Sequence, residues 1–194
     1  MTRLGGWLFR HRTIIPLPIA LALLLVPAGE GPPRPWLAGI GVGVTWLGEA
    51  LRMWAVRHIG AISRTRSDRL GPLVASGPFA VVRNPLYLGN IALWTGFAIA
   101  ARLLWLVPVV VALLAFEYHA IVLWEEQLLE QRRGEEYRAY AERVPRWIPA
   151  GGRGERGLKR GGALFTWPET LFSERGTLMA MAAGYLLLWL KARS

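Results

Sequence analysis

Two stretches of this 194-residue sequence concentrate side chains suited to holding a small charged molecule. The first runs Gly77-Pro-Phe-Ala-Val-Val-Arg-Asn-Pro-Leu-Tyr-Leu-Gly89. Pro85 suits a first helical position, where its missing N–H costs nothing, and Asn84 before it is a natural N-cap. That explains Asn84–Pro85 as a helix start, but not Arg83 and Tyr87 at the same mouth. A helix N-terminus with free N–H groups beside an arginine is an arrangement that binds a carboxylate. The second stretch begins Glu125-Glu126-Gln-Leu-Leu129, passes through Gly134-Glu-Glu-Tyr137 and Tyr140, and ends Arg143-Val-Pro-Arg-Trp-Ile-Pro149. Its plain reading is a solvated amphipathic helix with ordinary pairs such as Glu142 with Arg138. Its paired carboxylates are also what an ammonium wants.

The elements that must position these stretches follow from how apolar residues and charge alternate. The chain is 53% hydrophobic with ten Trp, mean hydropathy +0.30 and net charge +10. A soluble domain is roughly 45–50% apolar and lacks long uncharged runs. Here the charges fall between apolar blocks, which implies an all-α, polytopic membrane protein of four to five transmembrane helices. The expected spans are 13–28, 36–56, 86–101 and 103–124. The first is short of the roughly twenty residues that a span needs. The Arg3, Arg10 and Arg12 before it resemble the positive region of a signal peptide. No small-x-small cleavage site precedes a mature domain, so a retained first helix is expected. The second span contains Glu49 and Arg52, three residues apart on one helix face, and an ion pair between them is the favoured reading. Gly39-x-x-x-Gly43 in the same span is a small-residue packing face, within or between subunits, and leaves the oligomeric state open.

Arg102 is too short a joint for anything but a hairpin, so Glu125–Glu126 should return beside Arg83–Tyr87. Segments 1–12, 57–83 and 125–163 hold three, five and nine of the 23 Lys and Arg, which places all three on the cytosolic side. Trp36, Trp105 and Trp124 at block ends fit an aromatic belt. Residues 1–149 then form one membrane domain with 125–149 as its cytosolic segment. Residues 150–194 add a basic linker, 151–162, and an apolar run, 176–190, that either spans the membrane or lies on it. The expected location is a bacterial inner membrane, with the N-terminus and the mouth cytosolic.

Other chemistries are disfavoured. The pI near 11 could suggest nucleic acid, but the basic residues sit in loops beside the bilayer, where anionic lipids attract them. There is no cysteine, hence no thiolate nucleophile or Cys-based metal site. His11, His58 and His119 are too scattered for a metal site, and Glu117 shares the fourth span with His119. Gly152, Gly154 and Gly157 spell GxGxxG without the strand and helix that a dinucleotide loop requires.

An arginine, a helix N-terminus, paired carboxylates and tyrosines at one mouth match a zwitterionic sulfonium: Arg for its carboxylate, Glu for its ammonium, and a Tyr face for the sulfonium, worth about 0.5–2 kcal/mol. At these stretches the sequence resembles the membrane methyltransferases that include isoprenylcysteine carboxyl methyltransferase and phosphatidylethanolamine N-methyltransferase. Gly77, Phe79, Arg83, Asn84, Pro85, Tyr87 and Gly89 match one family pattern, and Glu125, Glu126 and Leu129 match a second. Gly134, Tyr137, Tyr140, Arg143 and Pro145 match a third. The likeness extends back to Gly48-Glu-Ala-Leu-Arg-Met-Trp54.

The resemblance implies S-adenosylmethionine as methyl donor and a lipid or lipid-like acceptor. With it, Glu125 and Arg83 are expected to be catalytic, and Gly77, Asn84, Pro85, Tyr87, Gly89, Glu126, Tyr137, Tyr140 and Arg143 cofactor-binding, while the sequence leaves open which of Glu125 and Glu126 binds the ligand and which, if either, acts as a base. Isoprenylcysteine enzymes usually carry His where this chain has Asn84, which shifts the expectation toward a phospholipid amine. A carboxyl or small-thiol methyltransferase is the alternative. Two readings of other classes stand beside it: an NADPH-dependent protein similar to the sterol reductases, which share part of the first pattern, and a non-enzymatic membrane scaffold.

Overall fold

A computed structural model of the chain describes residues 2–27, 35–60, 73–149 and 164–193. Most of 29–35 (GEGPPRP), whose helix breakers predict a tight turn, most of the basic segment 57–83, and the 151–162 linker with its GxGxxG lie outside the described residues. Among the described residues there are seven α-helices, one 3-10 turn and no strand: α1 (Thr2–His11), α2 (Leu17–Leu25), α3 (Pro35–Ile59), the 3-10 turn Gly77–Ala80, α4 (Pro85–Ala100), α5 (Leu106–Arg133), α6 (Glu135–Arg143) and α7 (Trp167–Lys191).

Helix ends follow the local chemistry, sometimes against the expected limits. α4 starts at Pro85, as its missing N–H allows. α5 does not stop at Trp124, because Glu, Gln, Leu and Arg all favour helix and no breaker intervenes before Gly134, at φ +51°. Glu125, Glu126 and Leu129 therefore ride on the last turns of the expected fourth span. α7 begins at Trp167 rather than at 176, because Thr166 and Glu169 form a capping box: the Thr166 hydroxyl accepts the Glu169 N–H, and the Glu169 carboxylate accepts the Thr166 N–H at 2.7 Å. The first apolar block is interrupted near Pro16 and Pro18. It yields α2, nine residues long, only about 13 Å of helix at 1.5 Å per residue.

By length and composition, α5 is the one described helix able to cross a membrane, and α4 is a shorter apolar helix. α5 packs through Leu106, Val110, Leu114 and Ile121 into a core shared with Leu93, Phe97 and Met181. Gly5 and Gly6 let α1 lie directly on Trp124 of α5, and Phe9 adds a ring contact at 5.0 Å.

α3 and α4 meet through glycine. A Cβ on Gly48 would stand 2.6 Å from the Gly89 carbonyl oxygen, and one on Gly41 would stand 2.5 Å from the Ala100 nitrogen. Gly41 and Gly48 are seven residues apart, two turns on one face. The expected Gly39–Gly43 face is different: a Cβ at either would meet nothing within 4 Å.

The Glu49–Arg52 pair is present at 3.1 Å and acquires a third member from α7. Arg52 Nη2 donates to Glu174 at 2.6 Å and to Thr177 at 3.3 Å, and Nη1 donates to Asn90. One guanidinium thus joins α3, α4 and α7. The Tyr185 hydroxyl donates to Thr45 Oγ1 at 2.6 Å, fixing α7 to α3 a second time. At the far end of α7, Lys191 donates to the Leu23 and Val26 carbonyls at the end of α2.

Candidate active site

The site is assembled where α4 begins, α5 ends and the strap 144–149 crosses between them. The Arg83 backbone N–H donates to the Pro145 carbonyl at 2.9 Å, and Asn84 Nδ2 donates to the Arg146 carbonyl at 3.2 Å. Asn84 thus occupies the N-cap position of α4 without a side-chain capping bond, because its amide holds the strap instead. Tyr140 donates to the Phe79 carbonyl at 2.8 Å, tying α6 to the 3-10 turn. Tyr137, Tyr140 and Val144 bury together with Ala75 behind it.

Charge gathers on Glu126. Its carboxylate accepts two bonds from Arg146, at 3.0 and 2.7 Å, and lies 3.1 Å from Arg83 Nη1. Arg83 Nη1 also donates to the Tyr137 hydroxyl at 3.3 Å, while its buried Nε has no partner. Burial, reinforced by the Glu126 carboxylate, pushes the Tyr137 phenol up to about 12. Beside this cluster opens a cavity of about 440 Å³, lined by Arg83, Leu123, Glu126, Gln127, Tyr137 and Arg138 among others.

Glu125 faces elsewhere. Neighbouring residues on a helix diverge by about 100°, so the expected carboxylate pair is split between two surroundings. Glu125 accepts the Tyr87 hydroxyl at 3.0 Å, and Tyr87 stacks on Tyr118 with centroids 4.7 Å apart. The other expected site residues divide in the same way. Gly77, at φ +59°, holds a left-handed turn against the His58 ring. Gly89 is buried against Gly48 and Arg52, and Pro85 is buried at the head of α4. Arg143 is exposed at the end of α6, and Gly134, which matches the family pattern without being an expected site residue, makes the α5–α6 turn. None of these five lines the cavity.

Two pairings differ from expectation. Arg138 engages Glu130 at 2.8 Å and Glu135 at 2.6 Å rather than Glu142, since the turn at Gly134 folds α6 back beside the end of α5. An Arg placed before Glu at i,i+4 is also the poorer orientation for a helix pair. Arg146, three residues beyond Arg143, is the arginine that meets Glu126; motif matching favoured Arg143, and only the end of α6 at that residue could have pointed onward.

A profile of the phospholipid methyltransferase family matches residues 36–136, just over half of the chain. The chain belongs to the phospholipid methyltransferase family. The matched region runs from α3 to the start of α6, and so contains Arg83, Tyr87, Glu125 and Glu126. The chain is 28% identical over 127 residues to "Protein-S-isoprenylcysteine O-methyltransferase B" of Arabidopsis thaliana, covering 59% of this chain and 60% of that protein. It is also 26% identical over 152 residues to "Nickel-cobalt-cadmium resistance protein NccN" of Alcaligenes xylosoxydans xylosoxydans, covering 75% of this chain and 68% of that one. No solved structure matches the chain. Among the described residues, no group of three or more His, Asp or Glu is placed to hold a metal ion.

Proposed function

We propose that the protein transfers a methyl group from S-adenosylmethionine to a lipid or lipid-like acceptor, a phospholipid amine being favoured. The observation that carries the reading is the family's Arg83–Glu126 pair at the rim of a cavity, with Arg83 Nε buried and unpartnered. Those groups fit the amino-acid end of such a donor, with Arg83 toward its carboxylate and Glu126 toward its ammonium. When bound, the donor supplies an electrophilic methyl group on a sulfonium.

The protein's own contribution is orientation and the exclusion of water. Arg83 and Glu126 fix one end of the ligand, and Tyr137, kept neutral, lends a hydroxyl to the same wall. A phospholipid ammonium must lose a proton before it can attack. Glu125, held by Tyr87, is the acceptor for that proton. A carboxylate or thiolate acceptor needs no base, so Glu125→Gln separates the two substrate classes.

In this reading residues 1–149 are the methyltransferase domain and α7 is a C-terminal helix docked on it. Four to five helices lie in a bacterial inner membrane with the N-terminus and the mouth cytosolic, supported by the clustering of Lys and Arg in segments 1–12, 57–83 and 125–163.

The test has two stages. Purified protein is titrated with labelled S-adenosylmethionine beside NADPH, and label is then followed into a total lipid extract with the product identified by mass. Saturable donor binding and a methylated lipid are expected. A folded protein that binds no S-adenosylmethionine would sink the reading, and binding of NADPH alone would replace it with the reductase class.

A further inference from the structure

His119 takes no part in the cluster just described, yet it lies on the same face of α5. Residues 119, 123 and 126 stand at i, i+4 and i+7, so the His119 ring lies below Leu123 and about 10 Å from Glu126 along the helix. The strap grips α5 at both levels with consecutive residues. Arg146 holds Glu126, and Trp147 Nε1 donates to His119 Nδ1 at 3.4 Å. The two rings lie 6.4 Å apart, and both are half-buried.

That contact fixes the tautomer. An indole N–H only donates, so Nδ1 of His119 must accept and the ring hydrogen of the neutral form sits on Nε2. His11 and His58 are the reverse: Nδ1 of each meets a backbone carbonyl, Trp7 O at 2.8 Å and Trp54 O at 2.9 Å. Carbonyls only accept, so there the hydrogen is on Nδ1. Of the three histidines, His119 alone is built to present an Nε2–H donor, and no described residue takes it.

We propose that His119 is the acceptor-side binding residue, donating its Nε2–H to an anionic oxygen of the methyl acceptor. The proposal rests on the methyl-transfer reading for the identity of the other ligand. With the donor's amino-acid end held at Arg83 and Glu126, His119 lies two helical turns further along α5, toward its apolar N-terminal part. The oxygen is a phosphodiester oxygen in a phospholipid or a carboxylate oxygen in a prenylated cysteine, and either accepts the same bond.

The experiment is nitrogen NMR on the full chain labelled with 15N-histidine in nanodiscs, where three rings are easily told apart. One ring is expected to carry its hydrogen on Nε2 and two on Nδ1, and the odd signal should vanish in His119→Gln. S-adenosylmethionine alone should leave that signal in place. Short-chain phosphatidylethanolamine or an S-prenylated cysteine should shift it, and whichever does so names the source of the oxygen. In turnover, His119→Phe, which keeps a ring but has no N–H to donate, should raise the acceptor KM about ten- to a hundred-fold, the worth of a hydrogen bond to a charged group, with donor affinity unchanged. Trp147→Phe, which keeps His119, should bring in the Nδ1–H form. An Nδ1–H form of the His119 ring in the native chain, a shift of its signal caused by the donor alone, or no shift with either acceptor overturns the proposal. Failure of donor binding with the Nε2–H signal and acceptor shift intact would instead overturn the choice of methyl donor.

Discussion

Two arginine–glutamate clusters lie in this molecule with opposite stoichiometry. At the mouth, Arg83 and Arg146 share Glu126; deeper, Glu49 and Glu174 share Arg52. Arg52 and Arg83 are equally shielded, each with 14% of its side chain exposed, so burial does not distinguish them. What differs is the atom left over. In the deep cluster it is Glu49 Oε1, sealed at 0% exposure, while every nitrogen of Arg52 that donates finds a partner on α3, α4 or α7. At the mouth it is Arg83 Nε, in a residue that lines a cavity. The same pair of residue types therefore closes on itself as a staple between three helices in one place and leaves an unpartnered donor in a cavity-lining residue in the other.

The sharpest way to break that contrast is to remove each arginine. Arg52→Ala strands two buried carboxylates and should cost about 3–5 kcal/mol of stability, as for other broken buried pairs, read by thermal unfolding in detergent. Donor affinity of the protein that remains folded should be unchanged. Arg83→Ala leaves Glu126 with Arg146, so the unfolding temperature should move little. Donor binding should weaken by about 1.5–3 kcal/mol, the range for a charged hydrogen bond. If both variants lost stability equally, the mouth would be a second staple.

Smaller effects refine the frame around the two clusters. Gly48→Ala pushes a methyl group toward the Gly89 carbonyl and should cost about 1–3 kcal/mol, as overpacking does. Tyr140→Phe removes the bond to Phe79 and should cost about 1 kcal/mol, visible as earlier proteolysis near the strap. Arg138→Ala, whose partners lie in solvent, should leave the melting temperature unchanged and confirm that the outer charges of α6 are not part of either cluster.

Much of this was open to inspection in the residues themselves. Pro85 marks the start of α4, Gly134 the end of α5, and the i,i+3 spacing of Glu49 and Arg52 their pairing. The return of Glu126 beside Arg83 followed from the short joint at Arg102. Glu174 was invisible because it meets Arg52 across 122 positions of chain, a distance that no local spacing encodes. The parting of Glu125 from Glu126 needed one more fact, that α5 continues past Trp124, after which the helical phase separates them. Arg146 was overshadowed by Arg143, which fits the family pattern but ends a helix on its outer side.

The glycine seam between α3 and α4 has a further consequence. Where two helices touch through side chains, a small slide can be absorbed by rotamer changes. Where Gly48 rests on the Gly89 carbonyl, backbone meets backbone and nothing can yield. The positions lacking a Cβ act as the wards of a lock, admitting one register and refusing a shift by a turn, which would drive a side chain into a carbonyl. Arg83, just ahead of α4, takes its height against the end of α3 from that lock. The placement of the proposed binding arginine is thus decided by residues that carry no side chain at all.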